Sequence, residues 1–141
     1  MSGPVGQNTI EKGREGEQLA CDYLVKQNIH IIERNISYKF GEIDIIAKDK
    51  EVLCFIEVRS RLSCQFGRPE ATVGPKKQSQ IIRAASAYLQ SNFKKPPICR
   101  FDVIAITGFS AQIEIKYLKN AFGVQQRFGG IRGNPWRVSY R

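Results

Sequence analysis

The sequence predicts a single α/β domain, with its elements in the order helix, three strands, helix, two strands (α-β-β-β-α-β-β). Three observations predict it. Apolar residues recur at three-to-four spacing in two long segments, residues 9–27 and 75–92. Short runs rich in Ile, Val and Phe, bounded by polar or Gly/Pro-containing turns, fill the space between and after them. At 141 residues, 42% hydrophobic and 25% charged, the chain is long enough to bury one core, and it shows no internal repeat.

In residues 9–27, Ile10, Leu19, Ala20, Tyr23 and Leu24 form one helical stripe, with Thr9 as candidate N-cap. Gly13 and Gly16 each cost a helix about 1 kcal/mol relative to alanine, so its first turns are expected to be frayed or closely packed. "NIHIIERNI" (28–36) reads as a strand. "GEIDIIA" (41–47) and "VLCFIEVRS" (52–60) follow as two more, and "KDKE" between them suits a hairpin turn. "RLSCQFGRPEATVGP", with two Gly and two Pro, reads as an irregular loop.

The second helix is expected to start at Pro75, a residue suited to a first helical turn, with Ile81, Ala85, Tyr88 and Leu89 on its apolar stripe. "NFKKPP" ends it. "ICRFDVIAIT" (98–107) and "AQIEIKYL" (111–118) supply the last two strands. Residues 1–122 then form the domain, and 123–141 a basic tail in which Phe128, Trp136 and Tyr140 stand between arginines. Such a tail reads either as an arm that stacks on bases and neutralises phosphates or as a frayed terminus.

Several classes are excluded. No apolar run approaches the roughly 18 residues of a membrane span, so no membrane partner is expected. The opening "MSGPVGQNTIEKGREGE" has no hydrophobic signal core, which makes a cytoplasmic location the expectation. Cys21, Cys54, Cys64 and Cys99 form no CxxC pair and lack histidine at zinc-site spacing, so they read as reduced thiols. His30 is the sole histidine and has no Ser or Cys near it in the sequence, against a Ser-His or Cys-His hydrolase. "RFGGIRGNP" is glycine-rich but opens no helix after a strand, and no P-loop is present.

Charge is distributed unevenly. Residues 1–58 carry seven Lys/Arg against ten Asp/Glu, whereas residues 59–141 carry fifteen against three, for a net charge of +9. A surface of that kind attracts polyanions, nucleic acid first among them. Arg61, Lys76, Lys77, Arg127, Arg132 and Arg137 are its candidate contacts. Lys76 and Lys77 oppose the dipole of the helix they open, a penalty that an anionic partner would relieve, although lysines solvated at no consequence are the simpler reading.

The acids sit inside apolar strands. Alternation places Glu42 and Asp44 on one face, with Ile43 and Ile45 on the other, and Glu57 and Arg59 opposite Ile56 and Val58. If the KDKE turn pairs the two strands, Asp44 approaches Glu57. Two carboxylates repel unless a proton or cation lies between them, and oxygen ligands suit Mg²⁺ or Mn²⁺. The competing reading is a hairpin with a solvated outer face, where Arg59 pairs with Glu57 or Asp44. Glu17 is open in the same way: it borders the first helix's apolar stripe and points either to the sheet or to solvent.

Five blocks occur in order: "GREGEQLACDYL", "RNISYKFGEIDIIAKDKEVLCFIEVRSR", "GRPEATVGPKKQSQIIRAASAYL", "RFDVIAI" and "NAF". Together they resemble the YraN family, which is related to Holliday junction resolvases within the PD-(D/E)xK nuclease superfamily. The resemblance spans roughly residues 13–122. It implies a restriction-endonuclease-like core, with a mixed central sheet flanked by helices. It further implies a Mg²⁺- or Mn²⁺-dependent endonuclease acting on DNA, in branched or single-stranded form. Asp44 matches the motif's aspartate and Glu57 the acid of its second half, with the backbone carbonyl of Val58 as a further metal ligand. Glu17 resembles the helix-borne glutamate of the resolvase branch, and Gln80 a possible accessory. Resolvase relatives act as dimers, so a homodimer is expected.

One position departs from the pattern. Arg59 stands where the motif has lysine, and an arginine stays charged and cannot serve as a base. It can still steady charge developing on a phosphate. Arg59 thus permits a slow or differently organised nuclease, or a nucleic-acid-binding module of the same fold without turnover. A protein-interaction domain with an acidic partner is the third reading.

Overall fold

The computed structural model describes residues 5–61, 73–108 and 112–123, with side chains over 15–60, 73–108 and 112–123. Its elements are α1 (Val5–Lys26), β1 (His30–Tyr38), β2 (Gly41–Asp49), β3 (Val52–Arg61), α2 (Pro75–Asn92), β4 (Cys99–Thr107) and β5 (Glu114–Phe122). The predicted order holds. Strand order in the sheet is β1-β2-β3-β4-β5. β3 and β4 run parallel and the other neighbours antiparallel, which makes the sheet mixed. A parallel pair needs a long crossover, and α2 supplies it.

Several boundaries differ from the sequence reading. α1 begins at Val5, so Thr9 lies inside the helix and does not cap it. Asn28 takes φ 62° and Ile29 N–H returns to the Leu24 carbonyl at 2.9 Å, which closes the helix and delays β1 to His30. β5 runs from Glu114 to Phe122 because its ladder with β4 extends from Thr107↔Glu114 to Phe101↔Phe122. Between β2 and β3 the turn is Lys50–Glu51, with Lys50 at φ 55°.

Apolar side chains are buried on both faces of the sheet. On the α2 side, Ile46, Leu53, Phe55, Phe101 and Val103 pack against Ile81, Ala84, Ala85, Tyr88 and Leu89. On the α1 side, Ile45, Ala47, Cys54, Ile56, Ile104 and Ile106 pack against Ala20, Cys21 and Leu24. β3 therefore contributes to both layers, as its nearly unbroken apolar run requires. Each fully buried Leu, Ile or Phe contributes roughly 1.5–3 kcal/mol. Cys21, Cys54 and Cys99 are buried free thiols, while Cys64 lies outside the described residues. Among the described residues, no helix is long and apolar enough to cross a membrane.

One buried acid is fully hydrogen-bonded. Asp102, inaccessible to solvent, accepts Arg100 Nε at 3.0 Å, the Tyr117 hydroxyl at 2.5 Å and the backbone N–H of Asn120 at 2.8 Å. Arg100 also donates to Asp49 at 2.8 Å, and Lys119 reaches the same carboxylate at 3.3 Å. These bonds clamp β5 to β4 where the ladder shifts register between Phe101 and Val103. Removing one partner of a buried pair strands the other charge. Asp102→Ala is therefore expected to cost about 3–5 kcal/mol in urea unfolding. A loss below about 1 kcal/mol, the worth of a surface ion pair, would show that the network carries no such burden.

Candidate functional site

The β2–β3 ladder runs from Asp49↔Val52 to Ile45↔Ile56 and stops there. Continued by one step it would set Asp44 against Glu57, and by two steps Ile43 against Val58. Instead, the N–H of Val58 donates to Asp44 Oδ2 at 2.9 Å. A side chain has taken the hydrogen bond that the opposing backbone would accept in an unbroken ladder. Within a strand, one residue's N–H and C=O point to the same side, so the Val58 carbonyl faces the same gap.

The break also corrects a face assignment. Ile43 packs in the α2-side cluster and Ile45 in the α1-side cluster, so the two isoleucines do not share a face. Alternation presumes an unbroken ladder, and at Asp44 the ladder is interrupted. Glu57, by contrast, lies within β3 and is 6% exposed, so the solvated-face reading does not describe it.

Asp44 and Glu57 converge within hydrogen-bonding reach. Burial pushes the Glu57 carboxyl up to about 8, and the Asp44 charge pushes in the same direction. Lys77 and then Arg59 pull it back. Burial raises Asp44 as well, opposed by the Val58 N–H and by the proton that Glu57 donates. The charges of Glu17 and Glu42 raise Asp44 further. A proton thus lies where a cation would otherwise balance the pair.

Neighbouring elements bring up the remaining residues. α1 approaches β3 so closely at Gly16 that a Cβ there would collide with the Ser60 hydroxyl. That contact holds α1 against β3, and the charge of half-buried Glu17 acts on Asp44 from there. α2 meets the start of β2 at Gly41, where an added Cβ would lie 2.9 Å from the Gln80 carbonyl. Lys77 is half-buried and Lys76 is exposed. Arg59 is half-buried two residues beyond Glu57. The side chain of Arg61, and Arg127, Arg132 and Arg137 altogether, lie outside the described residues.

The donor set fits a hard divalent cation in part. Asp44 and Glu57 converge, and the Val58 carbonyl faces the same gap. Among the described residues, no three His, Cys, Asp or Glu side chains group closely enough to enclose an ion, so Glu17 acts on the pair at longer range. Sequence reasoning placed Lys77 only on the nucleic-acid surface. Its spacing of four residues before Ile81, on the helix's buried stripe, was the signal that it faces the sheet.

Comparison with known proteins agrees with the resemblance read from the blocks. The model of "Uncharacterised protein family UPF0102", the YraN family, matches residues 16–106, a span that includes Glu17, Asp44, Glu57, Arg59, Lys77 and Gln80. The chain is similar to a UPF0102 protein of Chlorobium phaeobacteroides strain BS1, with 44% identity over 116 residues, covering 78% of this chain and 92% of that one. A UPF0102 protein of Chlorobaculum parvum is 47% identical over 116 residues, covering 78% and 90%. One from Dichelobacter nodosus is 40% identical over 112 residues, covering 79% and 89%.

The raised Glu57 pKa makes stability depend on pH. Between its ordinary value of 4.5 and about 8, the folded protein holds a proton that the unfolded chain releases. Stability therefore falls as pH rises through that window, and the loss is complete above it. In metal-free buffer, Glu57→Gln is expected to be more stable than the parent at pH 8.5, by on the order of a few kcal/mol, and nearly equal to it at pH 4.5. Thermal unfolding in EDTA at several pH values checks this. Parallel curves for the two proteins would remove the basis for a protonated acid pair.

Proposed function

The chain belongs to the UPF0102 family, and on that premise we propose that it is a divalent-metal-dependent endonuclease that hydrolyses DNA phosphodiester bonds. The observation that carries this reading is the convergence of Asp44 and Glu57 where β2 and β3 part. An acid pair, Glu57 buried and Asp44 half-buried, that is held together by a proton is costly to fold, and perturbed carboxyls of this kind gather at functional sites. Asp44, Glu57 and the Val58 carbonyl would hold Mg²⁺ or Mn²⁺. When bound, such a cation supplies Lewis acidity toward a phosphoryl oxygen and lowers the pKa of water near it.

The chain's own residues do the rest. Asp44 stays oriented because the Val58 N–H fixes one of its oxygens, and Glu57 is held by its place in a central strand. Glu17 adds negative charge from α1, favouring cation over proton as pH rises. Lys76, on the exposed side of α2, contributes to a surface that grips the phosphate backbone, as does the wider excess of basic residues after residue 58. Branched or single-stranded DNA is the proposed substrate form.

Arg59 at the motif's lysine position favours a second reading, a module of the same fold that binds nucleic acid with little or no turnover. The two readings separate in one assay. Purified protein is incubated with flap, junction and single-stranded DNA in Mg²⁺ or Mn²⁺. The nuclease reading expects cutting that EDTA abolishes and that Asp44→Asn or Glu57→Gln lowers by at least about 100-fold. Salt-sensitive binding with no cutting by the parent establishes the binding module instead.

A further inference from the structure

We propose that Lys77, from the first turn of α2, is the cation that serves the scissile phosphate at the Asp44–Glu57 site, the part that the strand-borne Arg59 would otherwise play. This inference rests on the nuclease reading above. Its first support is the face of α2 on which Lys77 stands. Lys77 precedes Gln80 by three residues and Ile81 by four, so all three lie on one side of the helix. Ile81 is 2% exposed in the core, and the Gln80 carbonyl meets Gly41, three residues before Asp44. That side therefore faces the start of β2. Lys76, one position away, is turned out to solvent.

Electrostatics support the same placement. The Lys77 ammonium acts on Glu57 more strongly than the Arg59 guanidinium does, although Arg59 is only two residues further along the same strand. The helix start reinforces it. α2 has no acidic residue in its first turn, and its N-cap, Gly74, offers no side-chain hydrogen bond. The positive end of the helix dipole and the Lys77 charge thus add together beside the acid pair. An anion that entered there would meet both.

The chemistry assigns the role. In hydrolysis a bond forms from a water oxygen to phosphorus, while the bond from phosphorus to a sugar oxygen breaks. One proton of the water passes to the leaving sugar oxygen, and the other remains on the new phosphate monoester. Lys77 exchanges no proton in this step. Its ammonium donates a hydrogen bond to a non-bridging phosphoryl oxygen, where negative charge grows toward the transition state.

A labelled single-stranded oligonucleotide with Mn²⁺ provides the test. Lys77→Ala is expected to lower kcat by about 10²–10³-fold, the usual effect of removing one such donor. KM should stay within about 3-fold, since a group acting in the transition state leaves ground-state binding alone. Lys77→Arg should restore part of kcat, Arg59→Ala should cost less than Lys77→Ala, and Lys76→Ala should move KM only. A second measurement needs no turnover. Substoichiometric Mn²⁺ should broaden the side-chain proton resonances of Lys77 before those of Lys76. Full activity in Lys77→Ala alongside loss in Asp44→Asn overturns the Lys77 assignment alone, as does equal broadening of the two lysines. Full activity in Asp44→Asn overturns the nuclease reading beneath it, and this inference with it.

Discussion

A single hydrogen bond organises this molecule's candidate site: the Val58 N–H donating to the Asp44 carboxylate. In an uninterrupted hairpin, backbone would pair with backbone at this level, and the alternating side chains would keep to their faces. Because Asp44 takes the bond, β2 leaves β3 after Ile45↔Ile56 and Ile43 turns into the α2-side core. The parting brings together a carboxylate, the Val58 carbonyl and buried Glu57. α1 packs on β3 through Gly16 against Ser60, and α2 on the start of β2 through Gln80 against Gly41. Glu17 on α1, and Lys77 and Gln80 on α2, stand on the elements that these contacts position.

Among the described residues, two sites with buried acids differ in how they are compensated. Asp102 is fully buried yet receives a guanidinium, a hydroxyl and a backbone N–H, so its donors offset the loss of water. That cluster is structural: it joins β4, β5 and the Asp49 end of β2. At the other site, Asp44 has one backbone donor and Glu57 faces another acid, so the pair is held by a proton that bulk solvent would normally remove near neutral pH. Cations stand close by on α2 and β3, but at a distance that lowers the strain without ending it. A fold that can satisfy Asp102 so completely leaves this pair strained where a ligand could relieve it, the pattern expected of a site rather than of a core.

The uneven charge of the chain has a spatial counterpart. The acids that act on Asp44 come from α1 and from β2 itself, through Glu17 and Glu42, whereas the opposing lysine comes from α2. The acid pair therefore lies between acidic groups of α1 and β2 and basic groups of α2 and β3. In the nuclease reading both are needed at once, since a metal bridges protein carboxylates and a polyanion. The binding-module reading uses the basic side alone and leaves the strain at Glu57 without a purpose.

The element order, the two helices and the hairpin were legible in the sequence, and the approach of Asp44 to Glu57 was one of two readings that the residues left open. They follow from periodicity, turn residues and the register that a short turn imposes, each of which acts over a few neighbouring positions. The blocks that resemble the YraN family carried the mixed sheet as well, which local pattern does not encode. Tertiary structure alone decided that Ile43 and Ile45 part company and that Lys77 outweighs Arg59 at Glu57. It likewise decided that Arg100, Asp102 and Tyr117 form one buried network. These outcomes depend on a ladder ending at one pair, and on where a helix more than ten residues downstream settles against the strand. Distances between remote residues fix them, and the spacing of residues along a chain does not contain those distances.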